Sequence, residues 1–276
     1  MTLDHVVVGV DGSLNAVRAL DWAADEAARR DAELRVVYAV PDRDEAEPVL
    51  ASAAARVRER HPALSVVTKA AAGGAVRALV RESEGAGLTV VGTRGLGGVA
   101  GLLVGSVSLR LAAHVHGPLL VVRGDHPCDG ERSVLLGLED DADAGAASYA
   151  FHEAERRGVR LQVLHSIHRY VTPEMPSLIP ATSPGQRRRA QNDLAEEAVP
   201  RFTVAELREE HPKVGVETHT VRRGPAPALL DATREAAVVV IGTHRRTSGP
   251  GPRLGPVAHT LLHRSHCPVV LVPATG

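Results

Sequence analysis

The stretch VVVGVDGS (Val6–Ser13) returns in altered form as VLLGLEDD (Val134–Asp141), 128 positions further along. The correspondence does not stop there. LRVVYAV (Leu34–Val40) matches LQVLHSI (Leu161–Ile167) at an offset of 127, and ERHPALSVVT matches EEHPKVGVET at 150. HGPLLVVR (His116–Arg123) matches HCPVVLVP (His266–Pro273), again at 150. The chain is one unit written twice, and the change of offset places an insertion of about 23 residues in the second copy. The segment HRYVTPEMPSLIPATSPGQ has the Pro, Ser and Gly content of an excursion loop after the second strand of that copy.

Within the first unit, short β-branched runs predict strands near 5–10, 34–40, 64–70, 88–92 and 118–123. They alternate with alanine-rich helical patterns. Leu14 to Arg30 reads as a helix with apolar spacing at Leu14, Val17, Leu20 and Ala24, entered through an Asp-Gly-Ser cap. Strands that are apolar throughout and separated by helices call for a parallel sheet covered on both faces. The expected class is therefore α/β: two tandem doubly wound domains, over 1–125 and 132–276, each a five-stranded parallel sheet with helices on both faces. A length of 276 residues accommodates two such cores. In these sheets ligands bind beyond the carboxyl ends of the strands, where strand order reverses.

Composition narrows the partners. With 44% apolar and 24% charged residues the chain has ample material for a core. The 32 basic and 33 acidic residues leave a net charge of −1, which gives no bulk attraction to nucleic acid or an anionic membrane. No apolar run reaches the roughly 18 residues of a membrane span, and MTLDHVVVGVDG lacks the basic start of a signal peptide, so a cytoplasmic location is expected. Cys128 and Cys267 lie far apart and in no metal-binding spacing, and read as reduced bystanders. The histidine pairs His114/His116, His165/His168 and His263/His266 lack the further ligands a metal site needs and read as exposed or core-edge residues. Arg187–Arg189, followed by Glu196 and Glu197, reads as a solvated helix face.

The loop VGTRGLGGVAGLLVGSVS (Val91–Ser108) follows the fourth strand and feeds a helix beginning near Gly105. At such a start the backbone N–H groups lack intrahelical partners and the helix dipole is positive, which favours an anion. Gly92 and Gly95 let the backbone curl into a nest for phosphate oxygens, and Ser106 and Ser108 offer hydroxyl donors. Arg94 either adds a charge-assisted contact or projects into solvent. The spacing is neither the GxxxxGK[ST] loop nor the GxGxxG fingerprint. It is Gly92-x2-Gly95-x9-Gly105-Ser106, which resembles the nucleotide loop of the ATP-binding branch of the universal stress protein family.

The resemblance covers nearly the whole chain twice over, in the tandem form common in actinobacteria. It implies the adenine nucleotide alpha hydrolase-like fold and a function in stress response, with ATP, alone or with Mg2+, as a regulatory ligand. It places Asp11 on the ribose and adenine side, the backbone of Ala39 with Val40 beside it at the adenine, and Gly92, Arg94, Gly95, Gly105, Ser106, Val107 and Ser108 around the phosphates. It also implies that the final strands of the two halves pair across a pseudo-twofold axis. An adenine nucleotide, a regulated protein and a homodimer are the partners in view. Aromatics are 2% of the chain, so aliphatic surface and backbone would hold an adenine.

The second copy departs from the motif. Gly242 and Gly255 keep the spacing, but the second glycine is Arg245 and the serine is Pro256, which supplies neither hydroxyl nor N–H. Asp11 is matched by Glu139, followed by Asp140 and Asp141, and such close acids disfavour ATP. One nucleotide per chain is expected, while Arg245 and Arg246 leave open an altered phosphate clamp. Enzymatic turnover is not expected, since Lys69 and Lys213 are the only lysines and both fall in or near third strands. A nucleotide-independent scaffold of the same fold and a slow ATPase are the alternatives.

Overall fold

The computed structural model describes residues 5–40, 44–93, 105–123, 132–139, 141–166, 204–243 and 254–274. The first unit supplies β1 (His5–Val10), β2 (Glu33–Val40), β3 (Val66–Ala72), β4 (Leu88–Gly92) and β5 (Leu119–Val122). The second supplies β6 (Ser133–Leu138), β7 (Leu161–Ser166), β8 (Val216–Val221), β9 (Ala236–Thr243) and β10 (Val269–Pro273). All ten join one sheet in the order β3-β2-β1-β4-β5-β10-β9-β6-β7-β8. Neighbours within each half run parallel, and the halves meet antiparallel at β5–β10, with Leu120 opposite Val270. The pairing of final strands implied by the resemblance is thus made inside one chain.

Helices α1 (Leu14–Arg29), α2 (Glu47–Arg60), α5 (Ala144–Arg157) and α6, whose described residues are 204–210, cover one face. Helices α3 (Ala75–Glu82), α4 (Ser106–His114), α7 (Pro225–Ala232) and α8 (Pro256–Arg264) cover the other. Each of the two cores runs unbroken across the seam: Leu120, Val122, Val270 and Val272 point into one, Leu119, Val121, Val269 and Leu271 into the other. Double burial is why β1, β4, β5 and β10 read as continuous apolar runs, whereas the outer strands β3 and β8 carry exposed Thr68, Lys69 and His219, which discourage edge-to-edge pairing.

Two expectations need correction. Strand β3 begins at Val66, because the Leu64 N–H donates to the His61 carbonyl at 3.0 Å and closes a turn first. Leu14 is 78% exposed, since the first residue of α1 sits beyond the end of the core. Leu20 and Ala24 are buried as the spacing predicts, joined by Ala16, Ala19, Ala23 and Ala27, whose small side chains let the helix lie close to the sheet. Cys267 is buried and its thiol pushed up to about 12 by that burial, so it stays protonated, while Cys128, the excursion loop and Arg187–Arg189 lie outside the described residues.

Between α1 and α5 the halves share a buried charge cluster that the hydrophobic periodicity did not announce. Glu26 and Glu153 are each 1% exposed. Arg30, just past α1, reaches Glu153 at 3.0 Å and Tyr149 Oη at 2.7 Å. Its counterpart Arg157 reaches back to Glu26 and also holds Glu153 at 2.6 Å, with its guanidinium 5.5 Å from the centre of the Trp22 ring. Trp22/Tyr149, Glu26/Glu153 and Arg30/Arg157 are all repeat partners offset by 127, so the pairs cross the internal pseudo-twofold axis.

The two carboxylates are not equivalent in acid. Burial alone would raise the carboxyl of Glu153, but Arg157, Arg30 and Arg156 hold it down at about 2. Burial, with Glu153 beside it, pushes Glu26 upward, so Glu26 takes the first proton of the pair. Folding therefore gains from ionised Glu153 above the ordinary carboxyl range, and that gain is lost as pH falls from about 4.5 toward 2, while protonation of Glu26 works the other way. The chain has a single tryptophan, Trp22, whose emission reports on this cluster. Urea midpoints read from that emission should fall between pH 6 and pH 3, and the fall should be smaller in Glu153→Gln than in Glu26→Gln. Equal slopes in the two variants would contradict the assignment.

Candidate functional site

Strand order turns back on itself between β1 and β4, whose carboxyl ends carry Asp11 and Gly92. Beyond β1, Asp11 Oδ1 accepts the Ser13 N–H at 3.0 Å, and Ser13 Oγ accepts the Ala16 N–H at 3.2 Å. Gly12 sits between them at φ +79°, a left-handed turn that glycine adopts without strain. The Asp-Gly-Ser signal is thus a cap for α1 that also sets a half-buried carboxylate at the mouth of the switch point. Exposed Leu14 follows it on the chain and supplies apolar surface there.

Beyond β4, Gly92 lies against the first turn of α1 so closely that a Cβ would come within 2.8 Å of the Asn15 carbonyl oxygen. The Thr93 N–H donates to Val122 O at 3.0 Å, and the Gly105 N–H donates to Thr93 O at 2.5 Å, so both ends of the glycine loop are tied to one strand end. Gly105 is the N-cap of α4, and the first bond of that helix is Leu109 N–H to Gly105 O at 3.3 Å. The backbone N–H groups of Ser106, Val107 and Ser108 therefore have no intrahelical carbonyl and form a donor cluster suited to phosphate oxygens. Ser106 is exposed and its hydroxyl can join them. Ser108 differs from its expected role: it is 2% exposed and its hydroxyl donates to Gly92 O at 2.7 Å, bracing the strand end from below. Arg94 and Gly95 lie outside the described residues.

On the other side of β1, the ladder with β2 ends at Val10↔Tyr38, one residue short of Ala39. The carbonyl of Val40 accepts the Gly73 N–H at 3.3 Å, toward β3. Backbone groups alternate sides along a strand, so those of Ala39 face the β1 side. The Ala39 N–H closes the ladder onto Val10, so Ala39 can offer its carbonyl as an acceptor to a planar base, while Val40 is buried and contributes packing. Asp11, Ala39, Gly92 and Gly105–Ser108 thus border one switch point, and the helix-start donors of α4 suit an anion. Among the described residues no group of three or more His, Cys, Asp or Glu side chains is placed to hold a metal ion.

The equivalent point of the second half, between β6 and β9, is filled from within. Asp143 stands where the first half has Asn15, and it is 3% exposed. Its Oδ2 accepts the Glu139 N–H at 2.7 Å, and its Oδ1 lies 2.0 Å from where a Cβ on Gly242 would be. A buried carboxylate therefore lies against the strand end at which a phosphate would approach. His165 is also buried and takes Leu138 O as a partner at 3.0 Å, at the carboxyl end of β6. Pro256 opens α8 without an N–H, and Ala258 replaces the bracing Ser108. Glu139 is exposed, while Asp140, Arg245, Arg246 and the side chain of Asp141 lie outside the described residues. The Asp143 carboxylate was readable only as an ordinary helix-start residue, because its inward course depends on η2 (Asp141–Asp143), the 3-10 turn preceding α5.

A tandem, mostly parallel α/β sheet with helices on both faces defines the class of fold, and sequence comparison gives the family. The model of the Universal stress protein family matches residues 2–123 and again 131–273. A universal stress protein of Mycobacterium tuberculosis is 31% identical over 301 aligned positions, spanning 96% of this chain and 94% of the relative. One from Mycolicibacterium smegmatis is 31% identical across 97% of this chain and 96% of its own. A solved structure of a Pseudomonas aeruginosa protein of unknown function superposes with a TM-score of 0.71 at 17% identity, covering 99% of this chain and 93% of its own. A universal stress protein from Archaeoglobus fulgidus gives 0.64 at 16% identity, with 100% of both chains covered. The last two likenesses show the fold. The chain belongs to the universal stress protein family, in its tandem form. Among the described residues no helix is long and apolar enough to cross a membrane.

Proposed function

We propose that the first half binds one ATP per chain as a regulatory ligand in a stress response, and that the second half binds none. The observation that carries this reading is the contrast between the two switch points. In the first, the N–H groups of Ser106–Ser108 have no intrahelical carbonyl and lie at the helix start near Gly92, and Ala39 offers its carbonyl to a base. In the second, Asp143 lies against Gly242 and proline takes the place of the first donor. A phosphate approaching Asp143 would meet like charge at close range.

The binding residues also suggest how a signal would travel. Gly92 pairs with Val122 at the end of β5, and β5 is the strand that meets the second half. A ligand held between α1, β4 and α4 therefore stabilises the arrangement that the seam depends on, and a ligand acts by binding one conformation better than another. At a hundredfold excess over its dissociation constant such a ligand adds about 2.7 kcal/mol to the stability of the bound form.

Calorimetric titration of nucleotide-stripped protein with Mg-ATP tests the reading through its stoichiometry. One equivalent per chain is the expected result, with no sustained phosphate release on prolonged incubation. Two equivalents would mean that the Asp143 carboxylate is displaced. No heat at several temperatures would leave a nucleotide-independent scaffold, and continuous phosphate release would make the protein an ATPase.

A further inference from the structure

Helices α3 and α4 enclose an open hollow of about 680 Å³ on the outer face of the first half. Its floor is aliphatic, from half-buried Val76 and Val80 on α3 and Val107 on α4. Its walls are exposed arginines, Arg77 and Arg81 on α3 and Arg110 on α4, with exposed His114 beside them and Glu84 as the one acid in the lining.

These arginines lack the ion pairs that several other surface arginines make. Arg35, Arg56, Arg160 and Arg223 each hold a carboxylate. Arg77, Arg81 and Arg110 hold none among the described residues, and the nearby acid Glu82 is engaged by Lys69 at 2.6 Å. Three guanidinium groups with no carboxylate partner among the described residues thus line one apolar floor.

The fold does not demand them. In the second half the positions of Arg77, Arg81 and Arg110 are taken by Pro227, Asp231 and Thr260, and Asp231 is itself engaged by Arg223 at 2.8 Å. The floor positions stay apolar as Ala226, Leu230 and Val257. The same helix pair therefore packs without the charge, so the charge serves something other than packing.

We propose that the groove between α3 and α4 is a docking surface for an acidic, amphipathic segment of another protein. Apolar side chains of the segment would lie on the valines, and its carboxylates would pair with the arginines, whose planar forks donate two parallel N–H bonds to a carboxylate. Nucleic acid fits less well. It would leave the valine floor unused, and the lining holds no Phe, Tyr or Trp for a base to stack on. Helix α3 has eight residues, a length of about 12 Å, enough for two turns of a bound helix.

The test uses the full chain and two fluorescein-labelled peptides, one an amphipathic helix of Leu and Glu, the other with every Glu replaced by Lys, read by anisotropy at low salt. The wild type should bind the Glu peptide and not the Lys peptide. The triple variant Arg77→Glu, Arg81→Glu, Arg110→Glu should lose at least about tenfold in affinity for the Glu peptide and gain affinity for the Lys peptide, with circular dichroism and thermal midpoint unchanged. The gain shows that the surface is still folded. Failure of the wild type to bind the Glu peptide, or equal binding by wild type and variant, would overturn the proposal. So would a labelled oligothymidylate that binds the wild type more tightly than the peptide does and is lost in the variant, which would assign the groove to nucleic acid.

Discussion

Arg157→Met is expected to destabilise the protein by about 3–5 kcal/mol, the range found when one partner of a buried ion pair is removed and its counter-charge stays behind. Arg157 is 2% exposed and serves both carboxylates, so its loss leaves Glu26 without its cross-axis partner and Glu153 with one guanidinium fewer. Urea unfolding followed by Trp22 emission measures the change directly, as a lower midpoint at unchanged slope. A shift within about 0.5 kcal/mol, the usual range for surface substitutions, would show that the cluster contributes nothing net. A companion variant separates charge from packing. Replacing Glu26, Arg30, Glu153 and Arg157 together by apolar residues of similar volume should restore most of the stability, because desolvation of all four groups is then avoided.

Gly92→Ala should weaken ATP binding by the equivalent of about 1–3 kcal/mol, the scale of overpacking at a tight contact and roughly five- to 150-fold in affinity. The new methyl group would stand 2.8 Å from the carbonyl oxygen of Asn15, a backbone atom that cannot swing aside. Either the strand end or the first turn of α1 must move, and both border the proposed phosphate position. Gly242→Ala is the matched control. There the methyl group meets the side chain of Asp143, and the first half should keep its affinity and stoichiometry. Calorimetry on the two variants decides the point, and equal losses in both would remove Gly92 from the site.

The architecture was legible because its signal is redundant. Two copies of each apolar run, at offsets of 127 to 150, locate strands more firmly than one copy could, and the alternation with helices fixes a parallel sheet. Gly105 at the start of α4 was equally plain, since strand, glycine loop and helix follow in order. What the sequence hid depends on distance in the fold. Glu26 and Arg30 look like an ordinary pair on a solvated helix face, and only contact with Glu153 and Arg157, 127 positions away, shows them to be buried. Ser108 looks like a ligand donor until its hydroxyl is seen on Gly92 O. Asp143 carries an acid among acids, and nothing local says that its carboxylate turns inward to Gly242. Leu14 misled for the opposite reason: helical period places it on the apolar face, but the core ends before it.

The antiparallel seam at β5–β10 has a consequence for how such a protein can diverge. Were the two units separate, identical chains, their contact would be isologous, and every substitution would appear on both sides of the axis at once. Joined in one polypeptide, the units meet at an effective concentration set by the tether, so association no longer depends on how much protein is present. Symmetry of contact is then compatible with asymmetry of content: Ser106 can persist opposite Pro256, and Arg81 opposite Asp231, without either change being forced on its counterpart. Covalent linkage turns a self-complementary pair into two independently editable faces of one molecule.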